Sequence, residues 1–160
     1  PTAKPNFYNQ PMRETMLSLT TATALKTAGF DWQPTLHDFF AIPHTDMDDR
    51  VFVLTDVMVD REILQGWPAF TFNGAVEWAL DYILQADAVW IPREDQLREA
   101  VLARVAQCSL VTNGRVYRCV VELDDEPTRH TFNAATAPEA YASALLHLIH
   151  TNQPLREENP

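Results

Sequence analysis

One short segment constrains the fold of this chain more than any other: the pair Asn113-Gly114 between two apolar-rich runs. An Asn-Gly pair in this setting predicts a β-hairpin with a two-residue type I′ turn, because both residues tolerate positive φ. Such a turn sets the register, so that residue 112 faces 115 and Cys108 faces Cys119. Facing residues lie close enough for a disulfide. We expect two buried thiols here, with a redox switch as the alternative.

The elements around this hairpin predict a C-terminal unit at about 92–150. Pro92 begins a helix that ends near Val105. The two hairpin strands and a third strand at 128–132 follow. The stretch 136–139 then reads Thr-Ala-Pro-Glu, a capping box that begins a last helix ending near residue 150. The order is α-β-β-β-α, which predicts an α+β fold with antiparallel sheets and helices on one face.

The sequence of the first half also predicts both helices and strands. A helix is expected over 12–28, ended by Gly29. Strands are expected over 39–42, 50–60, 66–73 and 88–91, and Pro68 places the start of the third of these at a sheet edge. A helix apolar on nearly every side is expected from Asn73 to about Gln85. The predicted organisation is an arm and helix at 1–30, one domain at 31–150 with parts 31–91 and 92–150, and a tail at 151–160.

Composition and charge limit the classes of function. The chain has 160 residues, 46% of them apolar, and a formal net charge of −10, which suits one compact core and argues against direct nucleic-acid binding. No apolar run is long enough to span a membrane, and no signal peptide is recognisable. The two cysteines form no metal-binding pair pattern. A cytoplasmic protein is therefore expected.

The order of elements over 93–150, together with the helix Ala-Pro-Glu-Ala-Tyr-Ala-Ser-Ala-Leu-Leu-His-Leu-Ile, resembles the double-stranded RNA-binding domain. Its β-β-β-α part resembles HicB-type antitoxins. RNA-binding members present lysines at the start of the last helix to reach phosphates. Here those positions are Thr136, Ala137, Pro138 and Glu139, so the resemblance implies the architecture without the RNA-binding activity. The whole chain also looks like small acidic proteins of phages and plasmids.

A metal site is the strongest chemical candidate in the sequence. His37, His44, Asp46 and Asp48 surround the predicted strand 39–42, and imidazole and carboxylate groups together bind zinc, manganese or iron. Such a site would make the chain a metal-dependent hydrolase. The alternative is an acidic turn in solvent that joins two strands. The four glycines build no phosphate-binding loop, and no cofactor is expected.

The interpretation that the sequence favours is a non-catalytic interaction, structural or regulatory protein. Residues 1–30 have a net charge of +2 and residues 31–62 a net charge of −6, a contrast that favours assembly with a protein partner or with further copies of the chain. The expected contact residues are Phe7 and Tyr8 in the arm, with Trp78 and Tyr82 in the apolar helix. A third possibility is an acidic mimic of nucleic acid that occupies a basic groove on another protein.

Overall fold

The computed structural model describes residues 16–44, 50–55, 59–72, 82–124 and 128–156 and confirms an α+β fold. The helices are α1 (Leu19–Thr27), α2 (Glu94–Leu102) and α3 (Ala137–His150). The strands are β1 (Phe39–Ala41), β2 (Val51–Val53), β3 (Val59–Leu64), β4 (Trp67–Phe72), β5 (Tyr82–Leu84), β6 (Val89–Ile91), β7 (Gln107–Thr112), β8 (Tyr117–Glu122) and β9 (Arg129–Ala134). A 3-10 turn, Gln85–Asp87, separates β5 from β6.

The strands form three small antiparallel sheets with the orders β2-β1-β6, β3-β4-β5 and β7-β8-β9. The first of these is the middle layer, because β1 buries both of its faces. Ala41 packs in one apolar cluster with α1, α2, α3 and the β7-β8-β9 sheet. Phe40 and Ile42 point the other way, into a second cluster with Phe70 and Ile83 of the β3-β4-β5 sheet. A strand buried on both faces explains the continuous apolar run from Phe39 to Ile42.

The predicted C-terminal unit is present as α2-β7-β8-β9-α3. Helix α3 packs on β8 and β9, and alternate residues of β8, Cys119 and Val121, are fully buried beneath it. Thr136 caps α3 by accepting a hydrogen bond from the N–H of Glu139. The opposite face of this sheet carries polar and exposed residues such as Arg118 and Arg129, so the sheet has one covered face, as predicted.

The predicted register of the β7–β8 hairpin is wrong by two residues. Thr112 pairs with Tyr117, and Cys108 therefore faces Val121 instead of Cys119. Only Gly114 has positive φ, at 84°, because the side chain of Asn113 accepts hydrogen bonds from the N–H groups of residues 115 and 116. Gly114 and Arg115 are thus the central turn residues, and positive φ at the first alone is typical of a type II′ turn.

The turn with two positive φ angles lies elsewhere, between β3 and β4. Gln65 has φ 51° and Gly66 has φ 88°, and the flanking residues Leu64 and Trp67 face each other. Positive φ at both central residues defines a type I′ turn. The single strand predicted over 50–60 is wrong, because β2 and β3 belong to different sheets.

One further expectation for the middle of the chain needs correction. Tyr82–Leu84 form strand β5, so the apolar helix does not extend to Gln85; residues 73–81 lie outside the described part. Strand β4 is the central strand of its sheet, and its start at Pro68 pairs with β3 alone. Pro68 is tolerated because it faces only Ile63 of β3, while the pairing with β5 begins at Ala69, so no ladder hydrogen bond is lost to its missing N–H.

Helix α1 begins later than predicted, at Leu19, with Ser18 as its N-cap. The carboxylate of Glu139 explains the position of this end. Its two oxygens accept hydrogen bonds from the N–H of Ser18 (2.9 Å) and the hydroxyl of Thr21 (2.7 Å). The capping box predicted at 136–139 is therefore only half formed, since Glu139 binds the start of α1 instead of reaching back to the N-cap of its own helix.

No helix among the described residues is both long enough and apolar enough to cross a membrane.

We expect Glu139→Ala to lower the free energy of unfolding by about 1–2 kcal/mol, because a backbone donor and a hydroxyl at the start of α1 lose their acceptor. Chemical denaturation followed by circular dichroism measures this change. Glu99→Ala, which removes an exposed glutamate from α2, is the matched control and should change the stability by less than about 0.5 kcal/mol. Equal losses in the two variants would contradict the role of Glu139.

Candidate functional site

A cleft of about 360 Å³ opens between α1, the 30–33 loop, the 85–88 segment and β4. This volume falls within the roughly 300–1,000 Å³ typical of ligand sites. Three aromatic rings and two prolines form part of its wall, and the residues that matter most below are Lys26, Phe30, Trp32, Pro68, Trp90 and Pro92. We call this site the aromatic cleft.

Stacked rings form the floor of the aromatic cleft. Phe30 and Trp90 stack with centroids 5.1 Å apart and planes 23° apart. Trp32 lies 6.4 Å from Trp90 and nearly parallel to it. Trp32 also contacts Phe40 (5.6 Å) and Phe70 (5.3 Å) in the second cluster. The cleft is therefore the half-exposed end of a continuous column of aromatic side chains that begins in the core.

The position of Trp32 depends on Asp38, a carboxylate that is fully buried at the start of β1. Its Oδ2 accepts hydrogen bonds from Trp32 Nε1 (2.8 Å) and the N–H of Thr35 (2.9 Å). Its Oδ1 accepts from Arg93 (3.1 Å) and Gln96 Nε2 (2.6 Å). These four hydrogen bonds occupy the roughly four acceptor positions that a carboxylate offers.

The electrostatics of Asp38 follow from these contacts. Burial alone raises the pKa of Asp38, but the hydrogen bonds from Trp32, Thr35 and Gln96 outweigh burial, and the pKa lies below its ordinary value of 3.8. The carboxylate is therefore charged under all ordinary conditions. Arg93, with 32% of its side chain exposed, supplies the opposite charge.

The rim of the aromatic cleft carries a few polar groups. The ammonium group of Lys26 donates hydrogen bonds to the carbonyl oxygens of Ala86 and Ala88 (2.8 Å to the latter), which ties α1 to the start of β6. Asp31 is exposed at the rim. The indole N–H of Trp90 is buried and has no acceptor among the described residues.

Beside the aromatic cleft, the tip of the β3–β4 hairpin exposes large apolar side chains. Ile63 is 68% exposed and Trp67 is 66% exposed. Ile63 faces Pro68, so the two share one side of the sheet, and Pro68 itself lines the cleft. The apolar area is thus continuous from the hairpin tip into the cleft. We call Ile63, Pro68, Phe30, Trp32 and Trp90 together the hairpin–cleft surface.

The residues of the predicted metal site are only partly described. His37 and His44 are both exposed, have positive φ (69° and 63°), and flank opposite ends of β1. Asp46 and Asp48 lie outside the described residues. Within the described ranges, no three His, Cys, Asp or Glu side chains form a group that could hold a metal ion. The metal site stays a prediction.

The predicted contact residues have a similar outcome. Phe7, Tyr8 and Trp78 lie outside the described part of the chain. Tyr82 is 49% exposed, on β5 instead of on a helix. It faces Thr71 of β4, which places it on the side of the sheet opposite to Ile63 and Pro68. Whether these four residues form an interface stays a prediction.

Sequence reasoning missed the aromatic cleft because tryptophans in strands are more often part of a core. Trp32 packs against the second apolar cluster and also lines the opening, and Trp90 stacks on Phe30 and Trp32. In β6, Val89 and Ile91 are buried and Trp90 is only half-buried, but all three residues are apolar, so the sequence carried no signal of this difference. The burial of Asp38 was not predicted, because it depends on donors that lie 55 and 58 residues away in the sequence.

Comparison of the chain with family models, with curated proteins and with solved structures finds no match.

We expect Asp38→Asn to lower the free energy of unfolding by about 3 kcal/mol, because four buried or half-buried donors lose a charged acceptor. Asp95→Asn is the matched control: it removes the other carboxylate bound to Arg93, at 3.2 Å and half exposed, and should cost less than about 1 kcal/mol. Urea denaturation followed by tryptophan fluorescence measures both. Similar losses in the two variants would contradict a special role for Asp38.

The lowered pKa of Asp38 also predicts a pH dependence. A carboxyl whose folded pKa lies below its unfolded value stabilises the protein above the unfolded value, and that contribution is lost as the pH falls through the folded pKa. Stability should therefore decrease as the pH falls below about 3.8, the ordinary value. The free energy of unfolding of the Asp38→Asn variant should decrease less steeply in that range. Identical slopes in denaturation series at several pH values would refute this.

Proposed function

We propose that this chain is a non-catalytic binding protein that holds a basic, proline-rich segment of another polypeptide on the hairpin–cleft surface. The observation that carries the proposal is the continuity between the exposed pair Ile63 and Pro68 and the stacked rings of the aromatic cleft. The cytoplasmic setting expected from the sequence belongs to the same proposal, and the presence of two free thiols supports it.

The shape and chemistry of the surface favour an extended peptide. Proline-rich segments in the polyproline II conformation dock on grooves lined by aromatic rings, and they lose little entropy on binding. Phe30, Trp32 and Trp90 supply such rings, half-exposed and held in place by stacking and by Asp38. Ile63 extends the apolar area beyond the cleft, where a further side chain of the peptide would pack.

Charge favours a basic partner. The chain has a net charge of −10, so its long-range field attracts cationic segments and repels acidic ones. Asp31 and Asp87 are exposed at or next to the aromatic cleft. Lys26, which lines the aromatic cleft, already donates to two backbone carbonyl oxygens.

The test uses two synthetic peptides of about ten residues with prolines at the same positions, one carrying arginines and the other glutamates between them. Tryptophan fluorescence and calorimetry measure binding to the full chain. The arginine peptide should bind saturably, and more weakly as salt rises. Ile63→Ser should weaken its binding about tenfold, the loss expected for an apolar anchor worth about 1.4 kcal/mol.

Val111→Ser is the matched control, because Val111 is 60% exposed on strand β7 and lines no part of the cleft. It should leave peptide binding unchanged, while Asp31→Asn should flatten the salt dependence. Failure of the arginine peptide to bind, equal binding of both peptides, or equal effects of the two serine variants would overturn the proposal. A mass that rises with concentration and falls in Ile63→Ser would instead identify a second copy as the occupant.

A further inference from the structure

The two cysteines touch each other although they do not face each other in the ladder. Cys108 on β7 faces Val121, and Cys119 on β8 faces Leu110, so the cysteines are diagonal neighbours on the same side of the sheet. Their sulfur atoms are 3.7 Å apart, a distance at which one thiol donates a hydrogen bond to the other. The observed register of the hairpin therefore differs from the predicted one in its backbone pairing, but it still places the two thiols side by side.

The two thiols differ in their access to solvent. Cys119 is completely buried among the residues beneath α3, whereas Cys108 is half-buried at the margin of the same cluster. A small, uncharged reagent therefore meets the sulfur of Cys108 first. The sulfur of Cys119 lies behind it, in contact with that of Cys108.

The contact also makes the two sulfurs chemically unequal. The hydrogen bond with Cys119 lowers the pKa of Cys108 and outweighs the opposite effect of burial. The same hydrogen bond, burial and the charge of Cys108 all raise the pKa of Cys119. The half-buried sulfur is therefore the one that more readily becomes a thiolate, the reactive form of cysteine, while the buried one keeps its proton and donates it.

We propose that Cys108 and Cys119 are a modification site, a dithiol that reacts with hydroperoxides to form a reversible intramolecular disulfide. Cys108 is the attacking residue and Cys119 the resolving residue. Strands β7 and β8 contribute no residue to the aromatic cleft, so this chemistry is independent of the binding function proposed above.

The reaction balances in two steps. The Cys108 thiolate attacks one oxygen of the peroxide, the O–O bond breaks, and Cys108 is oxidised by two electrons to a sulfenic acid. The other oxygen leaves as hydroxide or alkoxide and takes a proton from water. The Cys119 sulfur then attacks the Cys108 sulfur, and the departing OH takes the Cys119 proton and leaves as water. Two thiols and one hydroperoxide give one disulfide, one water and one alcohol, or a second water from hydrogen peroxide.

The geometry favours this outcome over attack by a thiol of another molecule. The sulfurs must approach from 3.7 Å to the roughly 2.05 Å of a disulfide. The backbone hydrogen bonds of the hairpin already hold the two strands side by side, so side-chain rotation and a small strand shift supply the movement. Because Cys119 is buried, no second chain can reach its sulfur.

The experiment treats the full-length protein with hydrogen peroxide and follows it by intact mass and by thiol alkylation. The wild type should lose about 2 Da, the mass of two hydrogens, lose both alkylatable thiols together, and recover them with dithiothreitol. In Cys119→Ser, the sulfenic acid of Cys108 should persist and be captured by dimedone. Cys108→Ser is the matched variant and keeps one buried thiol. The alkylating reagent should label it at least tenfold more slowly than it labels Cys119→Ser.

Circular dichroism of both variants, and of Cys108→Ala and Cys119→Ala, checks that each variant folds, so that slow labelling is not confused with unfolding. Three results would overturn the proposal: oxidation of Cys108 beyond the sulfenic acid without a disulfide in the wild type, disulfide-linked dimers as the main product, or equal labelling rates in the two serine variants. None of these outcomes depends on peptide binding, so a failure here leaves the proposed binding function intact.

Discussion

The buried carboxylate of Asp38 is the interaction on which the arrangement of the layers depends. It joins the 32–35 loop through Trp32 and the N–H of Thr35, and the start of α2 through Arg93 and Gln96. Its backbone carbonyl oxygen also accepts a hydrogen bond from Leu54, just after β2. A buried charge is tolerated only when it is paired and fully hydrogen-bonded. These three segments therefore meet at the beginning of β1.

These contacts of Asp38 help to place β1 between the other layers, and this position determines where the binding surface forms. Because Phe40 packs on the β3-β4-β5 side while Ala41 packs on the helical side, the two apolar clusters share one thin sheet. Trp32, held by Asp38, continues the aromatic column of the second cluster outward to Trp90. The aromatic cleft is the place where this column reaches solvent, and Phe30 and Trp32 are held there by packing against the two apolar clusters.

The molecule thus separates two kinds of chemistry onto different layers. The hairpin–cleft surface belongs to the β3-β4-β5 side and to the loop that Asp38 holds. The dithiol of Cys108 and Cys119 lies on the β7-β8-β9 sheet, beneath α3. Helix α1 connects the two sides, because Glu139 of α3 binds its beginning and Lys26 near its end binds the carbonyl oxygens of Ala86 and Ala88.

Local interactions within a few residues were readable from the sequence: the cap of α3 at Thr136, the existence of the β7–β8 hairpin, and the order of elements from α2 to α3. The hairpin register was not, because a slip of two residues keeps every side chain on the same face, so the apolar pattern cannot distinguish the two registers. Only the folded chain decided that Asn113 would use its side chain to stabilise the turn. Tertiary structure likewise decided the burial of Asp38 and the opening beside Trp90, since the donors and rings that make them come from distant parts of the chain.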